Sequence, residues 1–327
     1  MENYSQVNLI ANKPIYNAVR VDSLLQDAYG IAFSPAGNIW ISSQVSGFSF
    51  VEDKEGNETH CKVAIPSPSS AYGGGAITGI VFNGTNDFVL PNNGPAKFIF
   101  AGADGIISGW NPANKNLAVT VINNAATAAY NGITTASNNW VNYIYAANIK
   151  AGTVDVFDTK FNLTNIALKD ASLPVDYSPF DIKEIDGKIF VLYAKVDANR
   201  NQMIGAGFGI INIFKTDGSF VKRFVSNGEL NAPWGITKAP NSFFGASMNA
   251  DSNRILVGNF GDGHINVYSA EGMFMGALKA KGKTLVIDGL WGLSFAPVTA
   301  TAIDPNRLYF EAGPKNETDG IFGYIKK

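Results

Sequence analysis

Chemistry in this 327-residue chain cannot lean on a cluster of imidazole or thiol groups, because it holds only two histidines, His60 and His264, and one cysteine, Cys61. That scarcity argues against a zinc site of the usual His/Cys kind. A Ser-His-Asp triad would have to use one of the two histidines, and neither sits beside an evident nucleophile. His264 follows a Gly-Asp-Gly turn and reads as an exposed loop residue. No Gly-x-Ser-x-Gly elbow occurs. The stretch from Gly276 to Thr284 resembles a phosphate loop but carries one residue too many between its glycines, and no helix follows to receive a phosphate. Asp197, Asn199 and Asn201 stand where the first three ligands of an EF-hand loop would, yet Gln202 and Phe208 occupy the positions that require Gly and Glu. A hard cation, Ca2+ or another divalent ion, takes oxygen ligands, and Asn148, Asp181, Asn259 and Glu311 are the candidate donors. Lys195 or Asp104 is then the candidate acid/base.

These side chains are scattered along the chain, and a repeat is what brings them together. About every 50 residues a Gly-led apolar strand is followed by a second short strand, a Gly/Asn/Asp loop and an aromatic-rich third strand. The clearest copy runs Ala232-Pro233-Trp234-Gly235-Ile236, then Ile255-Leu256-Val257-Gly258-Asn259, then Gly263-His264-Ile265-Asn266-Val267-Tyr268. Copies begin near residues 27, 77, 130, 178, 232 and 290. Alternation of apolar and polar positions with β-branched and aromatic residues is the strand signal, and no stretch sustains a helical period. Such a repeat cannot bury both its faces alone, so the copies must stack or close into a ring. The expected fold is all-β: a six-bladed β-propeller of four-stranded blades, one domain over residues 1–327. The chain ends on the third strand of the last repeat, so residues 5–12 are expected to supply the missing strand and close the ring.

In a propeller, the loops from second to third strands and those entering each first strand emerge on one face around the channel. That face would gather Tyr29, Tyr130, Phe180, Trp234 and Trp291 beside Asn131, Asn259 and Asp262. Aromatic platforms among amides and carboxylates suit a ligand with a flat face and several hydroxyl or amide groups. The competing reading is that the aromatics plug the channel and the Asn/Asp-Gly pairs only form turns.

Composition narrows the partners. With 25 Lys+Arg against 27 Asp+Glu, the net charge of -2 provides no electrostatic footprint for nucleic acid. No apolar run is long enough for a membrane helix, and the first twelve residues are too polar for a signal peptide. A monomer is expected. The lone cysteine permits no intrachain disulfide, which leaves cytosol and bacterial periplasm open.

Several strings, taken in order, carry a resemblance: Thr78-Gly79-Ile80-Val81-Phe82-Asn83, Gly105-Ile106-Ile107-Ser108-Gly109-Trp110-Asn111, Asn231-Ala232-Pro233-Trp234-Gly235, Gly258-Asn259-Phe260-Gly261-Asp262-Gly263 and Leu290-Trp291-Gly292-Leu293. They look like those of an uncharacterised bacterial propeller family, typically exported, and similar in style to NHL-repeat and SMP-30/gluconolactonase-like propellers. The resemblance implies a periplasmic or extracellular protein and carries no assigned reaction. Two functions compete. One is a binding or scaffold propeller holding a small molecule, glycan, peptide or protein on the loop face, favoured because that face lacks a nucleophile-base pair. The other, by likeness to SMP-30 and streptogramin-lyase propellers, is a divalent-metal-assisted lyase or lactone hydrolase at the channel.

Overall fold

The computed structural model describes residues 3–245 and 253–327. The β-branched and aromatic alternation forms six antiparallel sheets in chain order, the blades of a six-bladed propeller on a four-stranded plan. Blade 1 is Ala28–Phe33, Ile39–Ser43, Phe48–Glu52 and Glu58–Ala64. Blade 2 is Ile77–Phe82, Phe98–Gly102, Ile106–Trp110 and Val119–Asn123. Blade 4 is Tyr177–Ile185, Lys188–Lys195, Gly209–Lys215 and Phe220–Ser226. Blade 5 is Pro233–Lys238, Ile255–Asn259, Ile265–Tyr268 and Phe274–Ala277.

Blade 6 joins the two ends of the chain. Leu290–Phe295, Leu308–Ala312 and Ile321–Lys326 are completed by Ser5–Ala11, which pairs antiparallel with the last strand, Val7 opposite Tyr324. Leu9, Ile10 and Ala11 are buried there. Arg20–Val21 then adds a short parallel edge.

The repeated glycine has a steric cause. First strands of neighbouring blades converge on the axis, and a Cβ on Gly30 would lie 2.3 Å from the Thr78 carbonyl oxygen. One on Gly79 would lie 2.9 Å from the Ile133 nitrogen, and one on Gly235 would lie 2.6 Å from the Trp291 carbonyl oxygen. Only a residue without Cβ lets the backbones approach so closely. Blade 4 breaks the rule with Asp181, whose carboxylate occupies the space over Gly132. Between blades the faces pack as separate cores, for example Trp40, Phe98, Phe100 and Trp110 between blades 1 and 2.

Blade 3 departs from the plan. Its ladder holds Tyr130–Asn138, Val141–Asn148 and Thr153–Phe157 only. The chain turns back and begins a fourth strand, Thr164 N–H donating to the Val156 carbonyl at 2.8 Å beside a Phe157–Leu163 bridge, and then leaves the sheet. Ile166 and Leu168 pack into the core between blades 3 and 4, and Asp170 pairs with Arg223 of blade 4. Those contacts draw the segment off the edge.

Candidate functional site

The residue before each axial glycine position forms a ring at the channel mouth: Tyr29, Thr78, Asn131, Phe180, Trp234 and Trp291. Four are aromatic, and they pack on one another. Trp291 is sandwiched between Tyr29 at 3.9 Å and Phe260 at 4.0 Å, with Phe180 and Trp234 edge-on at 5.7 and 5.9 Å. Trp291 is 1% exposed and Trp234 5%. Of the two readings of these rings, the packing has the character of a plug, with both flat faces of Trp291 covered by neighbours, although the buried Trp234 Nε1 has no partner among the described residues. Thr78 is also committed, its hydroxyl donating to the Tyr130 carbonyl at 2.6 Å. The side chain of Asn131, 7% exposed, makes no hydrogen bond among the described residues and is the amide this ring leaves unengaged.

Beneath the plug lie buried acids. Asp27 accepts a 2.8 Å bond from Trp291 Nε1, while its other oxygen and both oxygens of Glu311 have no partner among the described residues. Burial, with the nearby Glu317 charge, pushes the Asp27 carboxyl up to about 8. Burial and then Asp27 hold Glu311 well above the ordinary range. Asp181 is likewise raised to about 8 by burial, against a backbone N–H bond from Ile182 and the charge of Lys183. Asp181 and Lys183 line a narrow axial space of about 20 Å³. A carboxyl taken out of water favours its neutral form.

The remaining candidates serve the loops. Asn148 donates to Asp155 at 3.0 Å and accepts from the Ala129 and Ala151 nitrogens. Tyr130 lies in the core between blades 2 and 3, away from the aromatic plug, and its hydroxyl donates to Asp155 at 3.0 Å. Asn259 donates to the Glu229 carbonyl at 2.7 Å and to Asp262 at 3.1 Å, and its own carbonyl oxygen is buried without a partner among the described residues. Asp104 accepts from the Ala76 and Ile106 nitrogens. Lys195 pairs with Asp176 at 3.4 Å and lies over the Phe208 ring. Asp104 and Lys195 belong to different blades, and no contact joins them. Among the described residues no three His, Cys, Asp or Glu side chains form a group able to hold a metal ion. Of the donors proposed from sequence, Asn148 is committed to its own loop, whereas among the described residues Glu311 and the Asn259 oxygen have no partner and Asp181 has only the Ile182 backbone N–H.

The EF-hand-like segment is a turn. Asp197 accepts from the Asn199 and Asn201 nitrogens and from the Asn201 side chain. The same Asp-to-Asn clasp recurs at Asp53/Asn57 and Asp158/Asn162. A carboxylate that closes its own hairpin in three places has a local structural use.

Sequence reasoning missed a groove on the side of this loop face. Between the third strand of blade 3 and residues 163–175 lies a cavity of about 610 Å³, reaching Tyr177, Tyr193 and Arg200 of blade 4. Leu163 and Val175 stand exposed on its rim, at 65% and 92%. The available signal was the missing fourth strand after Phe157, where a repeat of four strands should have continued.

Fold and site together define a six-bladed β-propeller with an aromatic-plugged channel mouth and a lateral groove. No protein-family model matches the chain. Two uncharacterised proteins of Acanthamoeba polyphaga mimivirus are each 30% identical to it: one over 339 residues, 98% of this chain and 80% of the relative, the other over 334 residues, 98% and 84%. The chain belongs to the family of these viral proteins, whereas the resemblance in its motifs implied bacterial relatives. Among solved structures, a streptogramin B lyase matches with TM-score 0.57 at 12% identity, over 99% of this chain and 97% of that one. Virginiamycin B lyase from Staphylococcus aureus matches with TM-score 0.56 at 11% identity, over 99% of both. At such identities the likeness concerns the fold alone.

Proposed function

We propose that this protein is a binding propeller that holds a peptide or protein segment on its loop face. The observation that carries this reading is the groove between blades 3 and 4, which reaches that face at Val175 and runs down the side of the propeller to Leu163, leaving both apolar side chains in water. Concave, mainly apolar surface with a few polar groups is the usual form of a binding site. The plugged channel supports the same reading, since a ligand reaching the axis would have to displace packed tryptophans. The test is selection of random dodecapeptides displayed on phage against the full chain, followed by titration of synthetic copies. Micromolar binders that protect loop-face amides from hydrogen exchange are expected. A library yielding none, or binders seated on the opposite hairpin tips around Asp217 and Glu271, would refute it.

The metal-assisted lyase or lactone hydrolase is the second reading, favoured by one observation: Glu311 Oε1 and Oε2 and Asp27 Oδ2 are buried without hydrogen-bond partners among the described residues, and a cation can satisfy orphaned carboxylate oxygens. Metal analysis of protein purified without chelator tests it. A stoichiometric divalent ion lost on Glu311→Gln supports it, and the absence of such an ion overturns it.

A further inference from the structure

The open edge of blade 3 has a defined hydrogen-bonding pattern. In an antiparallel ladder the N–H and C=O of a residue point the same way and alternate in direction along the strand. Val156 C=O points outward, because Thr164 N–H takes it. Val154 N–H, Val154 C=O and Val156 N–H therefore point outward too, and among the described residues none of the three has a backbone partner, although Thr164 stands opposite Val156. Asp155 faces the other way, into its ladder with Ala146. Three consecutive unpaired backbone groups beside an apolar groove are a template for one more strand.

Charge narrows the occupant. Of the two acids of the groove, Asp170 is paired with Arg223 and also accepts from Asn212, whereas Asp155 accepts hydrogen bonds from the uncharged Tyr130, Asn148 and Thr153. The two cations have no carboxylate partner among the described residues, so they outnumber the one acid left without a cation. Arg200 gives its Nη1 only to the Val175 carbonyl and the Ser178 hydroxyl, and Lys169 has no partner among the described residues. Burying a peptide beside two unpaired cations favours carboxylates on that peptide.

Resting on the binding reading above, we infer that the groove takes an extended acidic peptide as the fourth strand of blade 3. The peptide hydrogen-bonds to Val154 and Val156, sets alternate apolar side chains on Leu163 and Val175, and sets a carboxylate against Arg200 and Lys169. Such addition gives affinity through the main chain and specificity through alternate side chains.

The test uses peptides from the same phage library, made synthetically, with the full chain. Sequences with Asp or Glu and period-two apolar residues are expected, and their binding should slow exchange of the Val154 and Val156 amides. Arg200→Glu and Lys169→Glu, both at solvent-accessible positions, should each weaken them at least tenfold while leaving the urea melt unchanged. Val154→Pro removes a donor from the edge and should abolish binding. If that variant fails to fold, the two charge reversals decide. Binders that are basic, or that protect the channel mouth around Asn131 and Asp262, overturn the strand-addition inference and leave the binding reading standing. A library without binders overturns both.

Discussion

Replacing Trp291 with alanine separates a structural plug from a binding platform. The indole is 1% exposed, stacked between Tyr29 and Phe260, and donates to Asp27 at 2.8 Å. Truncating a buried Trp costs about 3 to 5 kcal/mol. Removing the donor of a buried acceptor adds about 1 to 3 kcal/mol. Because both terms describe one side chain, about 4 to 6 kcal/mol in total is expected, a large part of the roughly 5 to 15 kcal/mol typical of a folded domain. Trp291→Phe keeps a ring in the stack but loses the N–H and three ring atoms, so about 2 to 4 kcal/mol should go. Urea melts followed by far-UV circular dichroism measure both. A Trp291→Ala protein within about 1 kcal/mol of the parent would refute the plug and restore these rings as a ligand platform.

Deleting residues 2–12 should open the edge of Ile321–Lys326 and give aggregation or a large fall in melting temperature, read by light scattering and calorimetry; a monomer of unchanged stability would contradict ring closure through this strand. Gly30→Ala forces a Cβ to 2.3 Å from the Thr78 carbonyl and should cost about 1 to 3 kcal/mol or more in a urea melt, the scale of overpacking. The raised acids set a pH dependence: Asp27 holds its proton up to about 8 when folded against 3.8 ordinarily, so the folded state binds more protons between those values. Stability is then fullest below the lower value and declines as pH rises toward the upper, by about 4 kcal/mol at pH 7 for an uncompensated shift of this size. Asp27→Asn should flatten that slope in melts at successive pH values; a slope unchanged by the substitution contradicts the assignment.

The blades were legible because their signal is steric and local. Glycines at 30, 79, 132, 235 and 292 mark backbone contacts at the axis, and strand alternation frames them. The closing strand was legible for a related reason, since a sheet edge left open at Ile325 needs a partner. Side-chain partnership was not legible. Trp-Gly at 234 and 291 reads the same whether the rings face a ligand or one another, and the packing of Trp291 depends on Tyr29 and Phe260 from other blades. Tyr130 was expected at the mouth because it precedes a first strand, but its ring turns into the core between blades 2 and 3. Spacing also made Asp197-x-Asn199-x-Asn201 resemble a cation loop, although the same atoms satisfy a hairpin's own nitrogens. The groove escaped because residues 164–168 still alternate like a strand, and only the pull of Asp170 on Arg223 reveals that they leave the edge.

The open edge of blade 3 is the central claim, and amide exchange in the unliganded full chain, resolved residue by residue by NMR, tests it most directly. The Val154 and Val156 amides should exchange far faster than those of Asp155 and Phe157, which the ladder to Val141–Asn148 protects. Equal, slow exchange at all four would mean that the chain itself covers the edge and that no place remains there for a partner strand.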